Sequence, residues 1–541
     1  MALWCPIVAI AMKRFFLLFA LISFLSACGG GGGGSTPSAP DPTPEPSQST
    51  APTVANANTD QTAVAGVPFS YDVTQGGTTF SGDSFTISVT LSEPSLGLSV
   101  ENGVISGTPQ GSGTVTVMIT ADDGNGGTVT DEFLLVISAP QVAAQPNILF
   151  IMSDDQGQDS SAQYALSTDL PVTPNLDSLA ANGLVFDNIW VNPACTPTRA
   201  ALLSGRHGVR TGVLSVGDTL PASEIPLHAF LANDPVASSY ATALFGKWHL
   251  GGGQTGPNDI GIPHFAGIVG GGVNNYFNWT LNVNGVNTNT TNYVTTELTD
   301  QALEWISAQT QPWFVWLAYN APHTPFHLPP ADLHTQNLSG NAADIAANER
   351  DYYLAAIEAM DTEIGRLLET LPAEQRDNTI IIFVGDNGTP AQVRDVSVFP
   401  NGAKGSLTEG GVKVPMIVSG VGVTRQGERE SSLINSTDFF ATIADLAGSA
   451  TTEINDSRSF RSVLSSATAP GRDYIYSEIV GNTSGWTIRN SQYKLTVLNN
   501  GAESLYDVVN DPMENTNLLN TGTDVAEVRN DLFAAGSALR Q

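Results

Sequence analysis

The spacing of apolar and polar positions divides the 541-residue chain into stretches of different character. Residues 15–25 form an apolar run behind Lys13 and Arg14. The run is too short to span a bilayer and has the form of an export signal. Residues 29–52 are Gly, Ser, Thr and Pro with little else, a composition that buries no core and reads as a linker. From 53 to 139, short β-branched runs such as 114–120 and 133–137 are separated by turn signals, among them Asp123-Gly124-Asn125-Gly126-Gly127. That rhythm predicts a β-sandwich, here with loose likeness to cadherin-like or immunoglobulin-like modules, and a spacer is its simplest role.

From about residue 146 the rhythm changes. Apolar runs without alternation, at 148–152, 240–245, 313–319, 380–384 and 416–418, are separated by helical stretches such as 351–371. Strands buried on both faces and spaced by helices predict an α/β domain over 146–446 with a central, mostly parallel sheet flanked by helices. Residues 251–296 are rich in Gly and Asn, show no periodicity and read as a long irregular insertion. Residues 447–541, with strand-like 493–497 and 504–507, predict a small C-terminal α+β subdomain.

Four of the apolar runs end alike. Asp154 and Asp155 follow the first, Lys247 and His249 the second, His323 the third, Asp386 and Asn387 the fourth. Ligands of open α/β sheets sit beyond the carboxyl ends of the strands, so these residues should meet in one pocket. A single Asp there would read as a helix cap. Two acidic or amide pairs behind buried strands instead read as oxygen ligands for Ca²⁺ or Mg²⁺, since carboxylates gathered without a cation repel one another. The other histidines, His207, His228, His264, His327 and His334, have no such setting and read as structural, with His207 and His264 in reserve.

Charge sharpens this. Lys and Arg number 21 against 52 acidic residues, a net charge of −31. No basic stripe is present, which argues against a nucleic-acid partner. An anionic substrate needs cations at its own site in such a chain. Of three cysteines, Cys5 and Cys28 belong to the leader and Cys195 has no partner. Leu25-Ser26-Ala27-Cys28 resembles a bacterial lipobox, which implies a signal peptide over 1–28 (with Met12 as a possible start), an acylated Cys28 and a membrane lipid anchor. Gly29 behind it points to the outer membrane.

By counting alone Cys195 reads as core packing. Its surroundings reverse that. Cys195-Thr196-Pro197-Thr198-Arg199 leads into Ala200-Ala201-Leu202-Leu203-Ser204-Gly205, which places Cys195 at a helix N-terminus with Arg199 on the same face, an oxyanion-binding arrangement. This segment resembles the signature of the type I sulfatases of the alkaline phosphatase superfamily. Gly246-Lys247-Trp248-His249-Leu250-Gly251, Ala321-Pro322-His323-Thr324-Pro325, Asp386-Asn387-Gly388, Gly402-Ala403-Lys404-Gly405 and the tail Leu505-Tyr506-Asp507 look like further blocks of that family, in order, over roughly 146–520. Lys413 departs from it, where Arg is common. The resemblance implies an alkaline phosphatase-like fold and a formylglycine made from Cys195 by a maturation enzyme, whose hydrate attacks sulfur. It implies one Ca²⁺ held by Asp154, Asp155, Asp386 and Asn387. It also implies Arg199 and Lys247 on the diol and sulfate oxygens, His323 and Lys404 as acids for the leaving oxygen, and His249 as the base for collapse. The expected substrate is a sulfated carbohydrate or aryl sulfate. Two rivals are a phosphate or phosphonate ester hydrolase of the same superfamily and a surface carbohydrate-binding or adhesion protein with an inactive enzyme domain.

Overall fold

The computed structural model describes residues 50–93, 96–138, 145–481 and 484–541. The leader, most of the linker and Cys28 lie outside the described residues. The chain divides into two compact units, residues 1–140 and 141–541.

The first unit is built from strands whose side chains alternate. In Gly113–Asp122 the buried positions are Val115, Val117, Ile119 and Ala121; in its antiparallel partner Thr128–Ser138 they are Asp131, Phe133, Leu135 and Ile137. One face therefore enters a core and the other meets water. Gln61–Val64 and Thr86–Leu91 complete this sheet, and Phe69–Asp72, Val104–Gly107 and Leu98–Glu101 form a second one. Asp131 is the polar member of the buried row. Its Oδ2 accepts the backbone N–H and the amide Nδ2 of Asn58, both at 2.8 Å, which meets the requirement that a buried carboxylate be hydrogen-bonded.

The second unit is organised on a ten-stranded sheet. Its strands are β1 (Asn147–Ser153), β2 (Gly183–Trp190), β3 (Ala241–Lys247), β4 (Phe265–Ile268), β5 (Trp279–Val283), β6 (Val286–Thr290), β7 (Trp313–Ala318), β8 (Thr379–Gly385), β9 (Met416–Gly420) and β10 (Glu428–Asn435), in the spatial order β6-β5-β4-β3-β7-β1-β8-β9-β2-β10. The run β4-β3-β7-β1-β8 is parallel throughout, while β9 and the hairpin β5-β6 are antiparallel to their neighbours. Every residue of β1, β7 and β8 is buried, as expected for strands covered on both faces. Ile148, Phe150 and Met152 enter one core while Leu149 and Ile151 enter the other, the two-residue period of a strand between two helix layers. Helices such as Val294–Ser307 and the 22-residue Glu349–Thr370 supply those layers.

The structure corrects the reading of 251–296 as irregular. That stretch holds β4, β5 and β6, which extend the sheet at one edge. The hairpin turns at Asn284 (φ 47°) and Gly285 (φ 86°), both left-handed, the backbone that an Asn-Gly pair adopts between two strands. The C-terminal subdomain is a four-stranded antiparallel sheet, Ile475–Ile479, Gly485–Arg489, Tyr493–Leu498 and Glu503–Asp507, packed by the helix Ala526–Leu539. Among the described residues no helix is long and apolar enough to cross a membrane.

Candidate active site

Four strand ends deliver side chains to one place. Asp154 and Asp155 follow β1, Lys247 closes β3, His323 lies in the loop after β7, and Asp386 and Asn387 follow β8. Gly246 makes the end of β3 possible: its φ is +101°, and a Cβ there would come 1.8 Å from the carbonyl oxygen of Ala318 on β7. The helix Cys195–Ser204 begins at Cys195 behind Ala194, which is extended and makes no side-chain cap, so the N–H groups of Cys195 and Thr196 stand uncapped at the helix start. Lys404 comes from a long loop pinned to Cys195's approach, since Gly405 N–H donates to the carbonyl of Pro193 at 2.7 Å.

All ten residues expected from the sequence meet here. Lys247 Nζ donates to Asp154 Oδ2 at 2.6 Å, and Arg199 donates through Nε (3.1 Å) and Nη2 (2.8 Å) to Asp386 Oδ2. Arg199 Nη1 also holds the carbonyl of Lys247 at 2.7 Å. Lys404 Nζ donates to Asp155 Oδ1 at 2.5 Å, where Asn387 Nδ2 also donates at 2.8 Å, and His323 Nε2 lies 3.8 Å from Asp155 Oδ2. Cys195 Sγ is 3.3 Å from His249 Nδ1. Two of these residues have left-handed backbones, Asp155 (φ 72°) and His249 (φ 58°), a conformation that costs an ordinary L-residue about 1–2 kcal/mol. Asp155 is held there from both sides: its N–H donates to Asp386 Oδ1 at 2.9 Å and its carbonyl accepts the Tyr353 hydroxyl at 2.8 Å.

Three carboxylates thus face three cations in a buried site, and the balance is uneven. Burial raises the pKa of Asp154 although Lys247 opposes it, whereas for Asp386 Arg199 and Lys247 outweigh burial and hold the carboxyl low. Burial also works against the charge of Lys404, but its neighbours, Asp155 first among them, together more than offset it and the ammonium is stabilised. His249 is pushed down to about 3, by burial first and then by Lys247 and Arg199, so it is a neutral imidazole. Burial pushes the Cys195 thiol up despite Lys247 and Lys404. A protonated, buried thiol is a poor nucleophile.

The donor set fits a hard dication. Asp154 Oδ1 and Asn387 Oδ1 are buried and have no hydrogen-bond partner, an arrangement that costs free energy unless something else binds them. Asp154 and Asp155 place carboxylate oxygens within 4.8 Å of one another, as do Asp154 and Asp386, and oxygen donors suit Ca²⁺ or Mg²⁺.

Sequence reasoning missed the groups that hold this ring in place. Tyr276, from the loop before β5, sets its hydroxyl 2.8 Å from the carbonyl of Asn320 and 2.7 Å from that of His323, while Asn320 Nδ2 donates to it at 2.8 Å. His323 Nδ1 lies 2.8 Å from the carbonyl of Thr324 and must carry the hydrogen there, so the exchangeable proton belongs to Nε2. The position of Asn320 just past β7 was a usable signal; Tyr276 and Tyr353 gave none. The remaining histidines stand apart from the ring. His207 and His228 are buried and pushed down to about 4, His264 packs on Phe245 and Trp305, His327 stacks on Tyr276 at 3.8 Å, and both ring nitrogens of His334 are unpartnered. Lys413 sits 3.8 Å from Glu409, outside the ring.

Comparison with known proteins adds three family matches. Residues 146–449 match the model described as Sulfatase, 51–138 that of a Putative Ig domain, and 403–540 that of N-sulphoglucosamine sulphohydrolase, C-terminal. The chain is 27% identical over 433 residues to Arylsulfatase G of Mus musculus, covering 68% of this chain and 79% of that protein. It is 28% identical to the crystal structure of Ps i-CgsB in complex with k-i-k-neocarrahexaose, with TM-score 0.63, covering 73% of this chain and 93% of that one. A structure in complex with its substrate D-glucosamine-2-N, 6-O-disulfate shares the fold at 21% identity, with TM-score 0.59 over 73% of this chain and 97% of the other.

Proposed function

Since the chain belongs to the sulfatase family, within the alkaline phosphatase superfamily, and is a sulfuric ester hydrolase, we propose that it removes sulfate from a sulfated polysaccharide or oligosaccharide, with a formylglycine derived from Cys195 and one Ca²⁺. The observation that carries this reading is the ring itself: three cations, and two buried oxygens without a hydrogen-bond partner, around a thiol whose pKa burial raises. A sulfated glycan as substrate is supported by the sugars bound to two structural relatives. It also agrees with the exported, lipid-anchored form expected from the leader.

Asp154, Asp155, Asp386 and Asn387 would hold the cation, which when bound polarises a sulfate oxygen. Formylglycine supplies, as its hydrate, an oxygen nucleophile in place of the thiol. The chain's own groups do the rest. Arg199 and Lys247 are fully buried and fixed by Asp386 and Asp154, so they present positive charge to an anion without reorganising. His323, with Nδ1 tied to a carbonyl, can deliver only the Nε2 proton, here to the departing alcohol oxygen, with Lys404 beside it. His249 is neutral beside residue 195 and accepts a proton from it.

The test is hydrolysis of 4-nitrophenyl sulfate and 4-nitrophenyl phosphate by the wild type and Cys195→Ala, with the mass of the peptide that holds residue 195. Sulfate turnover far above phosphate turnover is expected, abolished in the variant, with an aldehyde at 195. Dominant phosphatase activity, or an active enzyme with only a thiol at 195, overturns the reading.

A further inference from the structure

The sheet extension builds a cavity beside the catalytic ring. It has a volume of about 390 Å³, inside the ~300–1,000 Å³ range of small-ligand pockets. Its polar wall is Gln254, Asn274, Asn278, Thr280, Asn282 and Asn287, and no described residue lining it is charged. Residues 260–296, which supply all of the lining but Gln254, contain no Asp, Glu, Lys or Arg, so this whole stretch of an otherwise acidic chain is uncharged. The wall has a fixed part and a free part. Asn282 Nδ2 donates to Asn287 Oδ1 at 2.6 Å, Asn282 Oδ1 accepts Gly285 N–H at 3.0 Å, and Thr280 donates to Asn289. Gln254, Asn274 and Asn278 are exposed and make no side-chain hydrogen bond among the described residues.

The cavity and the catalytic ring share one strip of chain. Gly270 and Gly272 line the cavity. Between them, a Cβ on Gly271 would lie 2.6 Å from His249 Nε2, and one on Gly272 would lie 3.4 Å from His323 Nδ1 and 3.5 Å from Asn320 Oδ1. Asn320 Oδ1 is itself buried and unpartnered. This glycine strip therefore borders both the cavity and the two catalytic histidines.

A primary amide offers donors and an acceptor together, which is what a ring hydroxyl, donor and acceptor in one, requires. A second sulfate or a carboxylate would lose hydration there with no cation to receive it. We propose that this cavity is a subsite for an uncharged sugar residue adjoining the sulfated one, held by Gln254, Asn274 and Asn278. The proposal rests on the reading of the protein as a glycan sulfatase. The plain alternative is a water-filled gap left by the hairpin.

The experiment compares kcat/KM of the wild type, the double variant Asn274→Ala/Asn278→Ala and the single variant Asn278→Asp. The probes are 4-nitrophenyl sulfate, a panel of sulfated monosaccharides, and the matching disaccharides with an unsulfated or a sulfated neighbour. The wild type should prefer the disaccharide with the uncharged neighbour over its monosaccharide by tenfold or more. Both variants should lose most of that gain through KM, with turnover of 4-nitrophenyl sulfate unchanged. If sulfated monosaccharides are hydrolysed but an uncharged neighbour brings no gain, or if the variants slow every probe equally, the subsite is overturned and the sulfatase reading stands. If no sulfated sugar is hydrolysed while 4-nitrophenyl sulfate is, the glycan reading falls and the subsite falls with it.

Discussion

Replacing Lys494 by Met tests how the far side of the catalytic loop is held. Lys494 lies on the strand Tyr493–Leu498 and is fully buried. Its Nζ reaches Glu514 Oε1 at 2.9 Å and Glu409 Oε1 at 3.2 Å, and stands 4.8 Å over the ring of Trp190. Glu514 Oε2 accepts the N–H of Glu409 at 2.6 Å. Glu409 opens the short helix Glu409–Val412, which packs so closely on the Asn387-Gly388 turn that a Cβ on Gly388 would come 1.9 Å from the carbonyl oxygen of Gly410. Burial raises both glutamates; Lys494, with Lys413 and Arg489 behind it, more than offsets it at Glu409, held at about 2, while Glu514 stays raised. Without Lys494 the two carboxylates keep only Arg489 at 3.7 Å and Lys413 at 3.8 Å, both from Glu409. Removing one partner of a buried pair costs about 3–5 kcal/mol. The depression of Glu409 from 4.5 to about 2 is worth ~3 kcal/mol at ~1.4 kcal/mol per pKa unit, a figure of the same size that Lys494 shares with Lys413 and Arg489. Urea unfolding followed by tryptophan fluorescence should show a loss of that size at pH 7. A carboxyl held low contributes stability that is present above its unfolded pKa and lost as pH falls through the folded one. The deficit of the variant should therefore shrink between pH 4.5 and 2. Adding Glu514→Gln should recover part of it at pH 7. A loss under ~1 kcal/mol, against the ~3–5 expected of a broken buried pair, or one undiminished in acid, would refute the reasoning.

Two further outcomes are expected from the geometry. Gly271→Ala places a methyl 2.6 Å from His249 Nε2 at a half-exposed rim, so kcat on 4-nitrophenyl sulfate should fall at least tenfold with the urea midpoint unchanged; an active variant would mean that His249 is not held where the structure puts it. His228 is buried with Nδ1 unpartnered and its pKa pushed from 6.5 down to about 4 by burial. The unfolded chain then binds the proton first, so this residue withdraws stability as pH drops from 6.5 towards 4, by up to ~3 kcal/mol. His228→Phe, which keeps a ring against Phe314, should flatten that part of the stability profile, and an unchanged slope counts against the assignment.

The legible part of the fold was the part covered on both sides. β1, β7 and β8 are buried at every position, so they stand out as unbroken apolar runs, and the residues just past their carboxyl ends are the ones the pocket receives. That is why Asp154, Asp155, His323, Asp386 and Asn387 could be placed together before any resemblance was invoked. β4 is only four residues long, and β5 and β6 beyond it at the sheet edge mix Asn and Thr with their apolar positions, so no period announced them; the Asn284-Gly285 pair was the one local signal. Lys404 follows no strand. It reaches the ring through a loop fastened to Thr389 and Pro193, and only family resemblance pointed to it. Tyr276 and Tyr353 act through hydroxyls on backbone carbonyls distant in sequence, a relation that no local pattern encodes.

The burial of Cys195 also has a bearing on time. The residue is 1% exposed, at the first position of a helix whose every residue is buried. On the proposed reading, an enzyme that oxidises its side chain would have to reach it, and the finished fold leaves almost none of it exposed. On the reading proposed above, conversion has to win a race: it must happen while the polypeptide is still open, during synthesis or export. A molecule that folds first is trapped as a thiol, intact, stable and permanently silent, so the yield of working enzyme would be decided before the fold is complete.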